Sequence, residues 1–322
     1  MPPKVSVIVP VYGVEEYIGR CARSLFEQTI DDLEFIFVDD CTKDNSIKVL
    51  QSIICEYPKR KEHTIILHHE INKGLPQARR TGMLSATGEY IINIDSDDWT
   101  SISMIELLYR SAKDNNADIV ICDYYKTNGQ EEKVIKACNT IEKKQFLQDL
   151  CCMKHTWSVW NKMIKRELLD EKVVFPMEGM GEDMGLILPM VLKARKLSYV
   201  PVPLYYYWHN PNSMTHLASE TATLKKYNMF LSNTKIVIDA FINAGLSEEY
   251  RCSLDAVKLR AKNQLIGLVH KKDYHNLWKK TYREINFRIL FNALLGWKDK
   301  VVFLLTFWGL FPSRKGQIKL DM

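Results

Sequence analysis

Short runs of branched apolar residues alternate with amphipathic stretches over the first 125 residues of the chain. Five such runs, each bounded by polar or turn residues, predict buried strands at 5–9, 33–38, 64–67, 90–94 and 119–122. Between the runs, apolar residues recur every three or four positions, which predicts helices at 14–25, 47–57, 75–85 and 103–115. Strands that alternate with helices of this length predict an α/β fold, in which helices flank a mostly parallel sheet.

Polar residues follow each of the first four predicted strands. They lie at 10–13, 39–42, 70–74 and 95–99. Open parallel sheets bind ligands in the crevice beyond the carboxyl ends of their strands. We therefore expect these four strand ends to face one rim of a Rossmann-like, nucleotide-binding half that spans about 1–125.

The pattern changes twice after residue 125. Residues 126–218 are less regular, and we expect them to continue the same domain as an acceptor half, so that the domain spans 1–218. Residues 219–322 have apolar positions at helical spacing and predict a helical C-terminal region. Its last apolar and basic part, 287–311, favours a packed helical hairpin, with contact to a membrane surface as the alternative.

Composition narrows the class of protein. The chain has 322 residues and a net charge of +5, which is too small an excess to predict a nucleic-acid partner. Its eight cysteines form no C-x-x-C pair, and the N-terminus lacks the apolar region of a signal peptide, so we expect reduced thiols and a cytoplasmic protein. No apolar run reaches the ~18 residues of a membrane-spanning helix, which leaves at most peripheral contact with the inner membrane face.

An acidic string follows the fourth predicted strand. Asp95, Ser96, Asp97 and Asp98 place several carboxylates at one strand end, where a hard divalent cation could join them to phosphate oxygens. A turn that caps the next helix is the alternative. Carboxylates crowded at a buried strand end repel one another unless a cation or hydrogen-bond donors compensate, and this favours the functional interpretation.

A second acidic pair, Asp39 and Asp40, follows the second strand and can accept hydrogen bonds from a base or a ribose. A turn that caps the helix near Asn45 is the alternative. Other residues near this rim offer a nucleotide a backbone edge, an aromatic face or a cation: Pro10, Val11, Tyr12, Lys73 and Arg79.

Asp183 is the candidate catalytic residue. A hydroxyl that attacks a sugar carbon needs a carboxylate to take its proton, and Asp183 follows Gly181 and Glu182 in an acidic turn. An ordinary acidic helix start is the alternative. Glu182 is its candidate partner.

Residues further along offer contacts to a sugar or an acceptor. Trp160, Asn161 and Lys162 combine a flat apolar face with hydrogen-bond donors, although a tryptophan is more often part of a core. His209 and Ser213 lie in a polar stretch that we expect to cover a diphosphate. For a single histidine, a structural role is the more common one.

Six motifs together resemble a known family. They are 5–12 (VSVIVPVY), 38–40 (VDD), 72–74 (NKG) with Ala78 and Arg79, 88–98 (GEYIINIDSDD), 160–162 (WNK) and 181–183 (GED). In order and spacing they resemble family-2 glycosyltransferases with a GT-A fold, of the type that builds bacterial cell-surface polysaccharides. The resemblance covers about residues 4–215.

This resemblance implies an inverting transfer from a nucleotide diphosphate sugar, with a UDP-sugar as the expected donor, to a glycan or lipid-linked acceptor. It also implies roles for four residues: Asp39 reads the base, Asp95 lies near the ribose, Asp97 holds Mg²⁺ or Mn²⁺ on the diphosphate, and Asp183 is the base. Two positions depart from the family pattern, because Gly13 and Arg80 stand where asparagine is usual. Neither departure removes a catalytic group.

Two other functions stay open at this stage. One is a catalytically silent partner that binds a nucleotide sugar, although such a protein would be free to lose Asp97 or Asp183. The other is a sugar nucleotidyltransferase, which normally has a glycine-rich phosphate loop after its first strand. This chain has a single glycine there, Gly13.

Overall fold

The computed structural model describes residues 3–208 and 219–310. The strands are β1 Val5–Val11, β2 Leu33–Asp39, β3 Thr64–His68, β4 Tyr90–Asn93, β5 Trp99–Thr100, β6 Ile119–Thr127, β7 Glu132–Ile135, β8 Lys162–Lys165 and β9 Leu197–Trp208. The helices are α1 Ile18–Phe26, α2 Ser46–Glu56, α3 Pro58–Lys61, α4 Leu75–Ser85, α5 Met104–Asn115, α6 Lys143–Cys151, α7 Glu182–Lys193, α8 Glu220–Asn243, α9 Arg251–Asn263, α10 Lys272–Lys280, α11 Arg288–Phe291 and α12 Trp297–Phe307.

The first four strands form the parallel part of the sheet, in the order β3-β2-β1-β4. Each coincides with a predicted apolar run, and α4 covers the predicted residues, so this half of the α/β prediction is confirmed. Helix α1 begins at Ile18 instead of Val14, and a turn precedes it in which the Tyr17 amide donates to the Val14 carbonyl at 2.9 Å. The backbone amides of Val14 and Glu15 donate to Ser46 Oγ and Asp44 Oδ2, each at 3.0 Å.

The second part of the sheet is mixed rather than mostly parallel. Strand β8 lies between β4 and β6 and is antiparallel to both, while β6 pairs with β9 in parallel. Strands β5 and β7 add antiparallel pairs at β9 and β6. The sequence did not predict β8, because its four residues include only two apolar ones, Met163 and Ile164.

Hydrophobic clusters cover both faces of the sheet. Alternate residues of β1 separate them, with Val5, Val7 and Val9 in one cluster and Ile8 in the other. The cluster that contains Ile8 continues into α7 and α8, where Phe230 and other residues beyond 219 are buried against the same core. The packing therefore joins the helical C-terminal region to the sheet.

A third cluster lies within the C-terminal helices. The indole of Trp278 is fully buried and packs on Phe303 of α12, with 5.4 Å between ring centroids. The Lys262 ammonium lies 4.1 Å from the centre of the Trp278 ring and donates to Asn286. This cluster fixes one face of α12 to the protein. Among the described residues, no helix has both the length and the apolar character needed to cross a membrane.

Candidate functional site

The ends of β1, β2 and β4 meet at one rim, as the parallel order requires. Asp39 ends β2, and its carboxylate is 13% exposed. Its Oδ1 accepts from the Thr42 amide at 2.8 Å, and its Oδ2 lies 2.9 Å from His68 Nδ1. The carboxylate is therefore held in place while part of it stays accessible at the rim.

Asp40 has a different environment from Asp39. It is 3% exposed, and its two oxygens accept from the backbone amides of Lys73 and Gly74, each at 2.8 Å. Asp40 Oδ1 also lies 2.7 Å from His69 Nδ1. Asp40 holds the loop before α4, whose Lys73 side chain is exposed at the same rim, and its direct contact with a nucleotide stays a prediction.

Of the three residues predicted at the end of the first strand, two are engaged within the protein. Pro10 and Val11 are buried in β1, and the Val11 carbonyl accepts from the Asp40 amide at 3.0 Å. Both the side chains and this part of the backbone edge are therefore already engaged. Tyr12 is 48% exposed, so its ring is accessible, as a stacking face requires.

Arg79 joins the acidic residues of the two halves. Its guanidinium is 3% exposed and donates through Nη2 to Asp95 Oδ1 at 2.6 Å and through Nη1 to Asp183 Oδ1 at 2.7 Å. Nη1 also contacts Glu182. Both terminal nitrogens of Arg79 bind carboxylates of the protein, and its contact with a nucleotide stays a prediction. The guanidinium brings the predicted ribose-side acid and the predicted base together.

Burial and the charge of the oppositely charged partner shift the pKa values of Arg79 and Glu182 in opposite directions. Burial alone would lower the pKa of Arg79, but Glu182, Asp95 and Asp183 outweigh it and raise that pKa, so Arg79 stays charged. Burial raises the pKa of Glu182, and the charge of Asp183 adds to this, while Arg79 opposes both. Asp183 is 30% exposed against 9% for Glu182, so Asp183 is the more accessible carboxylate.

The acidic string after β4 divides into accessible and buried members. Asp95 and Asp97 are half-buried, whereas Ser96 and Asp98 are buried. Asp98 accepts from the Tyr205 hydroxyl at 2.5 Å and from the Trp208 amide at 2.7 Å. Burial and the charges of Asp95 and Asp97 raise the pKa of Asp98. Asp98 therefore holds the end of β9 in place, while the carboxylates of Asp95 and Asp97 keep part of their surface exposed.

Sequence reasoning missed the residues that support this string. Arg20 donates to the Asp97 carbonyl at 2.9 Å, and its guanidinium lies 3.7 Å from the centre of the Trp99 ring. Trp99 stacks on Tyr206 with ring centroids 5.1 Å apart. The aromatic run at 205–208 was the available signal, but it gives no indication that β9 returns to the end of β4.

The turn before α7 leads directly into Asp183, the second residue of that helix, and is held by α8. Gly181 has a left-handed backbone with φ +77°, which a glycine adopts without strain. Asn233 of α8 is fully buried and donates through Nδ2 to the carbonyls of Glu178 and Met180, both at 2.9 Å. The C-terminal region thus positions the turn, and no local pattern in the sequence indicates this contact.

Trp160, Asn161 and Lys162 are inside the protein. The Trp160 indole stacks on Tyr205 at 4.2 Å and lies nearly parallel to Tyr207 at 5.5 Å. Asn161 and Lys162 are 0% and 1% exposed. Lys162 Nζ donates to three oxygens at 2.8–3.2 Å, two of them backbone carbonyls of 156–158 and the third on Asn161. All three residues are buried and hold the segment before β8, and their direct contact with a sugar stays a prediction.

His209 and Ser213, the other predicted acceptor contacts, lie outside the described residues. Over 3–208 and 219–310, no group of three or more His, Cys, Asp or Glu side chains is arranged to hold a metal ion.

Comparison with known proteins identifies the family of this chain. Residues 6–173 match the family model described as glycosyl transferase family 2. An uncharacterized glycosyltransferase EpsJ of Bacillus subtilis is 33% identical, over 69% of this chain and 66% of the relative. The putative glycosyltransferase EpsH of the same organism is 32% identical, over 79% of this chain and 73% of the relative. The poly(ribitol-phosphate) beta-glucosyltransferase of Bacillus spizizenii is 32% identical, over 63% of this chain and 32% of the relative.

Solved structures share the fold. S. aureus TarS 1-349 in complex with UDP has a TM-score of 0.67 at 18% identity, covering 96% of this chain and 88% of that chain. The mannosyltransferase PcManGT from Pyrobaculum calidifontis, in complex with GDP-Man and Mn²⁺, has a TM-score of 0.54 at 14% identity, covering 96% of this chain and 87% of that chain.

Proposed function

Because the chain belongs to glycosyl transferase family 2 and has a GT-A fold, we propose that it transfers a sugar from a nucleotide diphosphate sugar, with inversion, to a hydroxyl group of a glycan or lipid-linked acceptor. UDP is the expected nucleotide, since TarS binds UDP in a structure of the same fold. The acceptor in this proposal belongs to surface polysaccharide synthesis, since one relative is a poly(ribitol-phosphate) beta-glucosyltransferase. The site faces the cytoplasm in this proposal.

One observation carries the proposal. Arg79 contacts Asp95 from the nucleotide-binding half and Asp183 from the acceptor half, at 2.6 and 2.7 Å. A donor held at Asp39, Tyr12 and Asp95 therefore places its sugar beside a partly exposed carboxylate. That is the arrangement a direct displacement needs, since nucleophile, base and sugar carbon must meet in one place.

The proposed chemistry assigns each step to residues of this chain. The carboxylate of Asp183 takes the proton from the acceptor hydroxyl, whose oxygen attacks the anomeric carbon. The bond from that carbon to the diphosphate oxygen breaks, and the attack from the opposite face inverts the centre. Glu182 and Arg79 hold Asp183 in orientation.

A divalent cation fits the donor set at the acidic string. Mg²⁺ is commonly held by one or two carboxylates together with substrate phosphates. Asp97, with Asp95, offers carboxylate oxygens of this kind at a strand end, and we propose that they hold Mg²⁺ or Mn²⁺. When bound, the ion would offset negative charge on the leaving diphosphate.

The first test is a thermal-shift titration with UDP, GDP, dTDP and CDP and their sugar conjugates, with and without Mg²⁺ or Mn²⁺. A ligand that binds the native state raises its apparent stability. We expect one nucleotide to give a metal-dependent shift. For the reacting sugar, NMR of the purified product should show an inverted anomeric centre. Retention of configuration, or no shift with any nucleotide, would contradict the proposal.

A further inference from the structure

Helix α12 is apolar on two faces. Its inner face is buried through Phe303 and Thr306, which pack into the third cluster. Its outer face carries Trp297, Val301, Leu304 and Trp308, which are 71%, 42%, 38% and 70% exposed. These four positions follow a spacing of four, three and four residues, so they lie along one side of the helix. A surface helix normally has polar residues on that side.

The exposed aromatic residues concentrate around this helix. In the described parts of the chain, the exposed Phe and Trp side chains are Phe287, Phe291, Trp297 and Trp308. Phe287 and Phe291, which flank α11, are 78% and 86% exposed, and helix α11 contacts α12. An exposed apolar patch of this extent marks an interaction site rather than ordinary surface variation.

The charge of the chain concentrates in the same place. Residues 271–300 contain eight Lys and Arg against three Asp and Glu, which equals the net charge of +5 of the entire chain. Lys280, Arg283 and Lys298 are exposed, and within 3–208 and 219–310 none of them forms a salt bridge with a carboxylate. Their charges are thus available to an anionic partner.

We propose that the outer face of α12 binds the surface of an anionic lipid bilayer. Trp and Phe side chains at 70–86% exposure match the headgroup boundary, where amphipathic aromatic rings are favoured. The adjacent lysines and arginines match the negative charge of the lipids. The inner face of α12 stays fixed to Trp278, so docking needs no unfolding of the helix. The lipid-linked acceptor belongs to the proposed function, but the docking itself does not depend on it.

Vesicle flotation of the full-length protein, without donor or acceptor, tests this proposal. The vesicles are phosphatidylcholine alone or with about a quarter phosphatidylglycerol, enough to give a negative surface. We expect binding to the anionic vesicles that weakens at high salt. Trp297→Ala with Trp308→Ala should reduce it by about tenfold or more. Lys280→Gln with Lys298→Gln should reduce it by a smaller factor.

The matched control is Ile71→Ala with Leu84→Ala, two side chains with similar exposure (66% and 60%) elsewhere in the chain. It should bind vesicles like the wild type, and all variants should keep the wild-type melting temperature. Full-length protein that stays unbound, or equal binding by the Trp297→Ala, Trp308→Ala variant, would overturn the proposal. So would a dimer in sedimentation that this variant abolishes, because a second copy would then cover the face. Nucleotide binding is measured in a separate experiment. A protein that binds no nucleotide would therefore leave the vesicle-binding result unaffected.

Discussion

Arg79 donates a 2.7 Å hydrogen bond to Asp183 from a position that is almost completely buried. The predicted base therefore depends on a cation of the neighbouring half for its orientation. A buried cation that serves three carboxylates cannot be removed without leaving charges unpaired. This relationship makes Arg79 the most sensitive residue of the site to substitution.

Arg79→Lys should destabilise the protein by about 1–3 kcal/mol, because the ammonium group keeps the charge but cannot bridge carboxylates that a guanidinium reaches through two nitrogens. Transfer activity should fall as well. Urea unfolding and initial rates measure the two effects. Arg80→Lys is the matched control, since Arg80 is exposed on the same helix and should shift stability by no more than about 0.5 kcal/mol. Equal stability of the two variants would contradict the bridging role.

Asp183→Asn should lower kcat by about 10²- to 10⁴-fold, which is the usual contribution of a general base. Donor binding should stay at the wild-type level, because the amide keeps the shape of the side chain. Initial rates and nucleotide thermal shifts separate the two effects. Glu171→Gln, an exposed acid on the segment before the turn, should keep full activity. A near wild-type rate for Asp183→Asn would exclude Asp183 as the base.

Asp97→Asn should weaken the binding of Mn²⁺ in the presence of nucleotide by at least about tenfold, since a carboxylate ligand becomes a neutral amide. Calorimetric titration of Mn²⁺ into the protein with its nucleotide measures this affinity. Asp114→Asn, an exposed acid at the end of α5, serves as the control. If the variant keeps wild-type affinity for the ion, Asp97 is not its ligand.

Asn233→Ala should lower kcat by about 10- to 100-fold while the donor KM changes little, because small displacements of a catalytic group are costly. The variant loses both hydrogen bonds to the turn before Asp183. Asn243→Ala, exposed at the end of the same helix, is the control. A parallel rise in donor KM would instead indicate general disruption of the site.

The lowered pKa of the buried Lys162 should make the free energy of unfolding depend on pH. Burial lowers its pKa from 10.5 to about 8, so between these values the folded chain has released the proton that the unfolded chain still binds. Stability therefore rises with pH through this window, by about 2 kcal/mol between pH 7 and 9.5. The free energy of unfolding of the wild type minus that of Lys162→Met, measured in urea at both pH values, should increase by this amount. A difference that does not change with pH would contradict it.

The sequence predicts the parallel half of the fold because two independent periodicities agree there. Runs such as 33–38 are long enough to specify a buried strand, and the residues of α4 have helical spacing. The position of Asp39 and Asp95 at one rim could be predicted as well, because each follows a predicted parallel strand directly. Strand β8 has too few apolar residues to give a signal, so the mixed second half could not be predicted.

The sequence also could not predict which groups the buried polar side chains contact. The sequence does not distinguish a buried lysine such as Lys162 from an exposed one. Lys162 can be buried because carbonyl oxygens surround its ammonium group in the fold. The contact of Arg79 with Asp183 could not be predicted, since it joins residues far apart in the chain. Asn233 gave no local signal because its function is a contact with another element.

The close packing of Gly181 against Phe230 limits how such enzymes can be recombined. A Cβ atom at 181 would lie 2.9 Å from Cδ2 of Phe230, so helix α8 and the turn that leads into Asp183 fit each other at atomic distance. A chimera that joins this catalytic half to the C-terminal helices of a relative would have to avoid both a side chain at 181 and a bulkier one than phenylalanine at 230. Exchange of either segment alone would then need a compensating change in the other.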